Sequence, residues 1–205
     1  MQRFVSLIVG LSLALLAPPP QFDLVVYGGT AGGVIAAVAA AREGLNVSQL
    51  DPGTHLGGMV SGGLGWTDYG RKEVIGGYSL EFFERVGKKY GRDIEWHFEP
   101  HVAEAVFNEM VKEAGVHVFL DHRLREKNGV RKTGARVSEI AMENGATFRA
   151  KVFADATYEG DLMARAGVSY TCGREGTTQV AGGDAAYLKD LAGRVDRFLA
   201  GQKPV

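Results

Sequence analysis

The chain has 205 residues, of which 45% are hydrophobic and 23% are charged. This composition is typical of a globular protein with one sizeable domain. The formal net charge of −1 supplies no basic excess to neutralise phosphates, which argues against a nucleic-acid-binding surface. The single cysteine, Cys172, has no partner for an intrachain disulfide, so cysteine usage does not indicate the compartment.

The first 20 residues have the pattern of a secretory signal peptide. Arg3 supplies one positive charge, residues 4–17 form an apolar stretch of 14 residues, and three prolines follow at 18–20. A membrane-spanning helix needs about 20 apolar residues, so this stretch is short for a span. We therefore predict that residues 1–20 are a signal peptide, that the protein has no stable membrane anchor, and that it is periplasmic or secreted. An uncleaved anchor and a wrongly assigned start remain alternatives.

The next segment is typical of the first βαβ unit of a dinucleotide-binding fold. The pattern predicts strands over residues 23–27 and 45–50 and a helix over residues 34–42. The glycine turn, residues 28–33, joins the first strand to the helix, and Asp51 follows the second strand. These features predict a site for a pyrophosphate and a ribose at the carboxyl edge of a parallel sheet.

Each residue of the glycine turn has a physical role in such a site. Gly28 permits the tight turn out of the strand, and Gly33 lets the helix pack closely against that strand. Small residues at 29–32 let backbone N–H groups approach a pyrophosphate. Thr30 stands where the usual G-x-G-x-x-G pattern has its second glycine. Asp51 lies 18 residues after Gly33, where its carboxylate would accept hydrogen bonds from ribose hydroxyls.

A long glycine-rich loop is predicted after Asp51. This glycine loop, residues 52–66, holds six glycines, whose entropic cost favours a second wall of the dinucleotide pocket over a flexible surface loop. Its apolar residues lead us to expect little free exposure: Leu56, Met59, Val60, Leu64 and Trp66.

The rest of the chain mixes helical and strand patterns. Helices are predicted over residues 73–90, 100–115, 162–166 and 185–200, and a strand over 116–120. Antiparallel strands are predicted over 121–126, 135–143 and 147–154, joined by Asn-Gly turns at 128–129 and 144–145. The predicted fold is α/β: a Rossmann-like dinucleotide-binding domain with a parallel sheet and an inserted antiparallel β-hairpin or meander.

Four stretches resemble a known family. They are residues 26–33, residues 52–66 with the core His55-Leu56-Gly57-Gly58-Met59, the Glu-Pro-His-Val-Ala-Glu of 99–104 and the Asp-Ala-Thr-Tyr-Glu-Gly-Asp-Leu of 155–162. In this order they are similar to FAD-dependent oxidoreductases of the glutathione-reductase-like type, which have two dinucleotide-binding domains. More narrowly, the chain resembles a group of secreted bacterial FAD-dependent oxidoreductases. The resemblance covers residues 22–176 and implies that FAD is the cofactor.

The resemblance also implies which residues would hold FAD, taken position by position. They are Gly28, Gly29, Thr30, Ala31, Gly32 and Gly33 at the pyrophosphate, Asp51 at the adenosine ribose, His55, Gly57, Gly58 and Met59 along the adenine and phosphate side, Val118 near the adenine, and Ala156 and Thr157 beside the glycine turn. A flavin carries the redox chemistry itself, so no catalytic triad is required.

Histidines are the first candidates for further chemistry. His101 is a candidate to donate a hydrogen bond near the flavin or substrate. His97 and His101 lie four residues apart, but Pro100 argues against one helix that presents both. We therefore predict no metal site and a capping or packing role for this pair.

Acidic and aromatic residues have plain structural interpretations beside the chemical ones. Asp155, Glu159 and Asp161 are interpreted as caps of the following helix rather than as an acid–base pair. Trp66 and Tyr69 are interpreted as core residues rather than as a stacking platform for a ring.

Members of the family usually run to several hundred residues, with a substrate domain and a returning strand and helix that complete the flavin site. We therefore expect three parts here: the signal peptide at 1–20, an incomplete FAD-binding domain at 21–176, and a divergent C-terminal helix and tail at 177–205. As an N-terminal portion, the chain would need a partner chain or the missing C-terminal half to complete the flavin site.

The predicted function is that of an FAD-dependent oxidoreductase, or its N-terminal flavin-binding portion, that transfers hydride from a small organic substrate to FAD. One alternative is an NAD-binding Rossmann protein, in which Asp51 would favour NAD over NADP. Hairpins, rather than repeated βαβ units, follow residue 120 and argue against it. The other alternative is a non-catalytic, truncated flavoprotein remnant.

Overall fold

The structure, a computed structural model, describes residues 21–170. In this part of the chain the strands are Phe22–Tyr27 (β1), Val47–Leu50 (β2), His117–Phe119 (β3), Val130–Thr133 (β4), Arg136–Ala141 (β5) and Thr147–Asp155 (β6). The helices are Ala31–Arg42 (α1), Gly77–Lys89 (α2), Pro100–Ala114 (α3) and Asp161–Arg165 (α4), and a 3₁₀ turn covers Lys72–Val74.

The described strands form one sheet in the order β3-β2-β1-β6-β5-β4. Strands β1, β2, β3 and β6 run parallel to their neighbours in this group. Strands β4 and β5 form an antiparallel hairpin, and β5 pairs with the first residues of β6. The predicted α/β fold, a parallel sheet with an antiparallel addition, is confirmed.

The parallel strands end together at one edge of the sheet. Tyr27, the last residue of β1, pairs with Leu50 of β2 on one side and with Asp155 of β6 on the other. Leu50 in turn pairs with Phe119, the last residue of β3. The segments that follow these strands therefore start side by side, which is where an open α/β sheet binds its ligands.

Two hydrophobic clusters hold the sheet, because successive side chains of a strand point to opposite faces. Val26 belongs to the first cluster, in which buried residues of α1, α2 and α3 pack against the sheet. Val25 and Tyr27 belong to the second cluster, with residues of β5, β6 and α4. Strand β1 is thus covered on both faces, as its nearly continuous apolar sequence predicts.

Helices α2 and α3 test the predicted helical patterns. The helix predicted over 73–90 is interrupted at Gly76-Gly77, where Gly77 has a left-handed φ of 58°. The buried face of α2 is centred on Phe82 and Val86, and Phe83 is only partly buried. Helix α3 agrees with the prediction, because it begins at Pro100 and ends at Ala114, where Gly115 caps it with a φ of 75°.

The antiparallel part corrects one prediction. Residues 121–126 do not form a strand; only Leu124 makes an isolated bridge, to Met142. The physical reason is that Leu124 is the one buried side chain in a run of charged, exposed residues. The turn at 128–129 therefore leads into β4, and the β4–β5 hairpin closes at 134–135. The predicted turn at 144–145 does join β5 to β6, with Gly145 at a φ of 92°.

Several predictions fall outside the described residues. They are the signal peptide at 1–20, Cys172, and the helix at 185–200, and they stay predictions. The division of the chain at residue 176 also stays a prediction. Among residues 21–170, no helix combines the length and the apolar character needed to cross a bilayer.

An ion-pair network ties the three helices of the first cluster together. Glu81 of α2 accepts two hydrogen bonds from Arg42 of α1, at 2.6 and 2.8 Å, and one from Arg85, at 2.9 Å. Arg85 also donates two hydrogen bonds to Glu113 of α3. The hydrogen bonds from Arg42 are the main reason why the pKa of Glu81 falls from 4.5 to about 2.

We expect Glu81→Gln to lower the free energy of unfolding at pH 7 by about 1–2 kcal/mol, a modest value because the network lies at the surface. The ionised carboxylate stabilises the folded state above pH 4.5, and that contribution is lost as the pH falls towards 2. In urea unfolding between pH 2 and 7, the free energies of unfolding of the wild type and of Glu81→Gln should therefore converge at low pH. Glu84→Gln on the same helix is the control, and equal losses in both variants would contradict the assignment.

Candidate functional site

Two glycines of the glycine turn are packed too tightly for any side chain. Gly28 has a φ of 109°, and a Cβ added there would lie 2.6 Å from the backbone of Ala156 and of Thr157. A Cβ added at Gly33 would lie 2.1 Å from the carbonyl oxygen of Gly28. The first turn of α1 is therefore held directly against the end of β1, as the sequence predicts.

Thr30 explains why the second glycine of the usual pattern is dispensable in this chain. Its φ of −63° and ψ of 164° are open to any residue, so no glycine is needed. Its Oγ1 accepts a hydrogen bond from the N–H of Gly33 at 3.1 Å and donates one to the carbonyl of Ala156 at 2.8 Å. Thr30 is thus the N-cap of α1 and also joins α1 to the segment after β6.

Asp51 lies directly beside the glycine turn. One carboxylate oxygen accepts a hydrogen bond from the N–H of Gly29 at 2.5 Å, and the other accepts from the N–H of Gly53 at 2.7 Å. A carboxylate has about four lone-pair sites, so acceptor capacity remains for a ligand. Asp51 therefore positions the turn and still offers an acceptor beside it.

Gln49, buried in β2, supports the turn from below. Its Nε2 donates a hydrogen bond to the carbonyl of Gly28 at 2.8 Å. Sequence reasoning missed this residue because a polar residue in a short strand does not reveal which backbone carbonyl it will meet. The signal that would have found it is the adjacent polar pair, Ser48 and Gln49, in a short strand of a parallel sheet, because such strands are buried on both faces.

The glycine loop lies against the glycine turn. The N–H of Gly57 donates to the carbonyl of Gly29 at 2.7 Å, and a Cβ at Gly57 would lie 2.6 Å from the ring of Phe107. A Cβ at Gly58 would lie 2.3 Å from the hydroxyl of Tyr158 and 3.2 Å from Cα of Thr30. These close approaches explain why the loop needs glycine at both positions.

Tyr158, which sequence reasoning did not single out, holds the loop from the other side. Its hydroxyl accepts a hydrogen bond from the N–H of Met59 at 2.8 Å. Tyr158 directly follows Ala156 and Thr157, so its place in the Asp-Ala-Thr-Tyr stretch was the available signal.

The expected burial of the loop's apolar side chains is wrong for three residues. Leu56 is buried, but Met59, Leu64 and Trp66 are 51%, 65% and 78% exposed. The loop packs through its glycine backbone, so these side chains project outward. Trp66 is accordingly not a core residue; its ring stacks on that of His97, with centroids 4.0 Å apart.

The segment after β6 uses its polar groups internally. The N–H of Ala156 donates to the carbonyl of Tyr27 at 2.8 Å. Asp155 accepts from the N–H and the hydroxyl of Thr157 and from the N–H of Met163 in α4. Asp155 therefore binds an N–H of the first turn of α4, although the N-cap residue itself is Gly160 and no side chain caps it. Ala156 and Thr157 present backbone to the glycine turn.

The predicted residues His55 and His101 line one cavity. It has a volume of about 400 Å³ and is also lined by Gly58, Ser61 and Glu104. The Nδ1 of His55 lies 2.8 Å from a carboxylate oxygen of Glu104. In residues 21–170, no three His, Cys, Asp or Glu side chains come together as a metal site.

Val118 pairs with Gln49 of the neighbouring strand β2. It lies in the middle of β3, and its side chain packs in the first hydrophobic cluster. The backbone beside Asp51 comes instead from the next residues, because the N–H of His122 donates to the carbonyl of Asp51 and that of Asp121 to Gly53. Sequence reasoning missed these two residues.

An apolar cleft opens beside the N-terminus of α1. This apolar cleft has a volume of about 490 Å³. Ala31 and Gly32 line one side, and its other walls include Val60, Phe82 and Phe107. The glycine turn and the apolar cleft thus share the first residues of α1.

The site fits a dinucleotide. Three features lie together at the carboxyl edge of the sheet. They are the tightly packed glycines, the N-terminus of α1 and the carboxylate of Asp51. A helix N-terminus attracts a pyrophosphate, and a carboxylate accepts hydrogen bonds from ribose hydroxyls. These contacts bring together residues 28–33, Asp51, Gly57, Gly58 and Ala156, and His101 lines one cavity with His55 and Gly58.

The sequence matches the model of the family described as FAD dependent oxidoreductase over residues 23–199. The chain therefore belongs to the FAD dependent oxidoreductase family. The predicted resemblance and the predicted cofactor, FAD, are confirmed at this level. The match favours FAD over the NAD alternative. The comparison with curated proteins found no match to the chain.

Solved structures show the same fold. L-proline dehydrogenase from P. horikoshii has a TM-score of 0.55 and 14% identity, with 75% of this chain and 58% of that chain covered. AlpK has a TM-score of 0.53 and 18% identity, with 73% and 34% covered. Halogenase PltM in complex with phloroglucinol and FAD has a TM-score of 0.50 and 16% identity, with 75% and 38% covered. The chain thus spans about a third to somewhat over half of their lengths.

We expect Gly33→Ala to destabilise the fold by about 3 kcal/mol, because its Cβ would meet the backbone oxygen of Gly28. Gly32→Ala is the matched control one residue earlier. Its Cβ would find no atom closer than 3.9 Å, and alanine favours a helix, so its unfolding free energy should change by less than about 1 kcal/mol. Urea unfolding measures both variants, and similar losses would contradict the close approach at Gly33.

Proposed function

We propose that this chain binds FAD at the glycine turn and Asp51 and forms the FAD-binding portion of an oxidoreductase. In the proposed reaction, a small organic substrate gives up hydride to the bound flavin. The observation that supports it most is the glycine turn, where Gly28 and Gly33 admit no side chain and Asp51 faces the turn. The match to the FAD dependent oxidoreductase family gives the cofactor.

The chain's own residues would bind and orient the cofactor. The N-terminus of α1, which begins at Ala31, would attract the pyrophosphate through its positive end. The remaining acceptor sites of Asp51 would take hydrogen bonds from ribose hydroxyls. FAD, when bound, supplies the redox chemistry, and the protein supplies placement and electrostatics.

The apolar cleft has the chemistry expected for the ring end of the cofactor. Ala31 and Gly32 belong to both the glycine turn and the cleft, so a pyrophosphate at the turn leaves an aromatic ring system within reach of the cleft. The walls of the cleft, which include Phe82 and Phe107, would surround that ring and exclude water from it.

The substrate region and the rest of the flavin site would come from outside residues 21–170. The chain spans 58% of L-proline dehydrogenase from P. horikoshii and 34% of AlpK, so those proteins contain further structure. We propose that a partner chain or further polypeptide supplies the equivalent part here. A remnant without catalysis is the alternative, and measuring bound flavin separates it from a flavoprotein.

We expect the 205-residue chain, purified with added FAD and then desalted, to retain flavin near one equivalent per chain. Absorbance in the flavin bands, compared with protein concentration, gives the stoichiometry. A folded chain that retains no flavin would overturn the proposal that this chain by itself binds FAD, and would favour the remnant.

We expect Asp51→Asn to raise the dissociation constant for FAD roughly tenfold, because an amide keeps only one of the two acceptor oxygens. Asp93→Asn is the control, since Asp93 is exposed in the loop between α2 and α3. Titration by flavin fluorescence measures both. Equal affinities for the two variants would contradict a role of Asp51 in cofactor binding.

Export remains our proposal, supported by Arg3, the apolar residues 4–17 and the prolines at 18–20. We expect expression in a bacterium to place the protein in the periplasm or medium, with an N-terminus created by cleavage within or directly after residues 1–20. N-terminal sequencing of the fractionated protein tests this, and an intact Met1 in every fraction would contradict it.

A further inference from the structure

Two separate sequence stretches meet at one contact. His55 opens the His-Leu-Gly-Gly-Met core of the glycine loop, and Glu104 closes the Glu-Pro-His-Val-Ala-Glu stretch of α3. Their side chains meet through Nδ1 of His55 and Oε1 of Glu104, at 2.8 Å, across 49 residues of sequence. The proposed function assigns no role to Glu104.

The contact lies at the start of a segment, residues 55–61, that packs on the glycine turn. Within residues 55–61, Leu56 is buried, and the N–H of Gly57 donates to the carbonyl of Gly29. At the far end, the hydroxyl of Tyr158 accepts from the N–H of Met59. The segment is thus held by Tyr158 at one end and by Glu104, through His55, at the other.

Between these two anchors, Leu56 is the one buried side chain, because the other two residues are glycines. Gly57 and Gly58 have φ values of 105° and 55° and carry no side chain that could hold the segment in place. Glycine also loses more conformational freedom on ordering than any other residue. A side-chain contact at each end therefore limits the freedom of the backbone that borders Gly29 and Thr30.

We propose that Glu104 is a positioning residue for the cofactor site, which acts through His55 to hold residues 55–61 against the glycine turn. This inference rests on the proposed function, because the position of the turn matters only if the turn binds the cofactor. Glu104 orders the segment before FAD arrives, so FAD binding does not have to supply the free energy of ordering.

The contact is suited to local ordering rather than to global stability. The side chain of His55 is 70% exposed and that of Glu104 is 27% exposed, so water competes for both. Exposed pairs of this kind contribute little to unfolding. A loss of the contact should therefore change the order of the segment and the affinity for FAD more than the stability of the fold.

The test compares Glu104→Ala, Glu104→Gln and His55→Ala with a control on the same helix, Glu109→Ala. Glu109 pairs with Lys89 of α2, and neither residue belongs to the segment. We expect Glu104→Ala and His55→Ala each to raise the dissociation constant for FAD roughly three- to tenfold. Glu104→Gln keeps an acceptor oxygen and should restore most of the affinity, and Glu109→Ala should match the wild type.

A second readout does not depend on the cofactor. The N–H of Gly57 is hydrogen-bonded to Gly29, so its hydrogen exchange in cofactor-free protein reports the order of the segment. We expect faster exchange at Gly57 in Glu104→Ala and His55→Ala and wild-type exchange in Glu104→Gln. At Gly57, the double variant His55→Ala/Glu104→Ala should exchange no faster than either single variant, because the two residues act through one contact.

The outcomes separate the two proposals. No flavin binding by the wild type overturns the proposed function, while exchange at Gly57 still reports on the positioning role. Exchange and affinity in Glu104→Ala equal to those in Glu109→Ala overturn the positioning role, whether or not FAD binds. If Glu104→Ala does not fold, hydrogen exchange at Gly57 in cofactor-free His55→Ala tests the same role, because this variant removes the same contact and the readout does not involve FAD.

Discussion

The close approach between Gly33 and the carbonyl of Gly28 is the constraint on which the rest of the site depends. A Cβ at Gly33 would lie 2.1 Å from that oxygen, so only glycine lets α1 start so near the end of β1. This proximity brings the positive end of the helix to the carboxyl edge of the sheet. It also allows Thr30 to cap α1 and to reach the carbonyl of Ala156 with one hydroxyl.

Glycines also shape the glycine loop, residues 52–66, which is the predicted second wall of the dinucleotide pocket. Gly57 fits against the ring of Phe107, and Gly58 fits between Thr30 and Tyr158, so the loop approaches the turn through its backbone. Met59, Leu64 and Trp66 stay largely exposed, and Leu64 and Trp66 line the apolar cleft. Anchoring then falls to polar contacts at the two ends of the segment, from Glu104 and Tyr158.

Much of the fold could be predicted because local patterns and tertiary packing agree in it. Apolar periodicity and residues that favour particular backbone angles predict several elements. These are strand β1, helix α1, both ends of α3 at Pro100 and Gly115, and the turn at 144–145. The failures came where one apolar residue among charges resembled a strand, at 121–126, and where a glycine pair interrupted a helical pattern before α2.

The sequence by itself determined the αβ unit, the acid after β2 and the kind of ligand they suit, because glycine and carboxylate requirements are local and leave a recognisable spacing. Only the tertiary structure decided that Gln49 supports Gly28, that His122 lies beside Asp51, and that Glu104 meets His55 across 49 residues. Such contacts depend on how strands, helices and loops converge at the sheet edge, and no local pattern encodes the partner of a polar side chain.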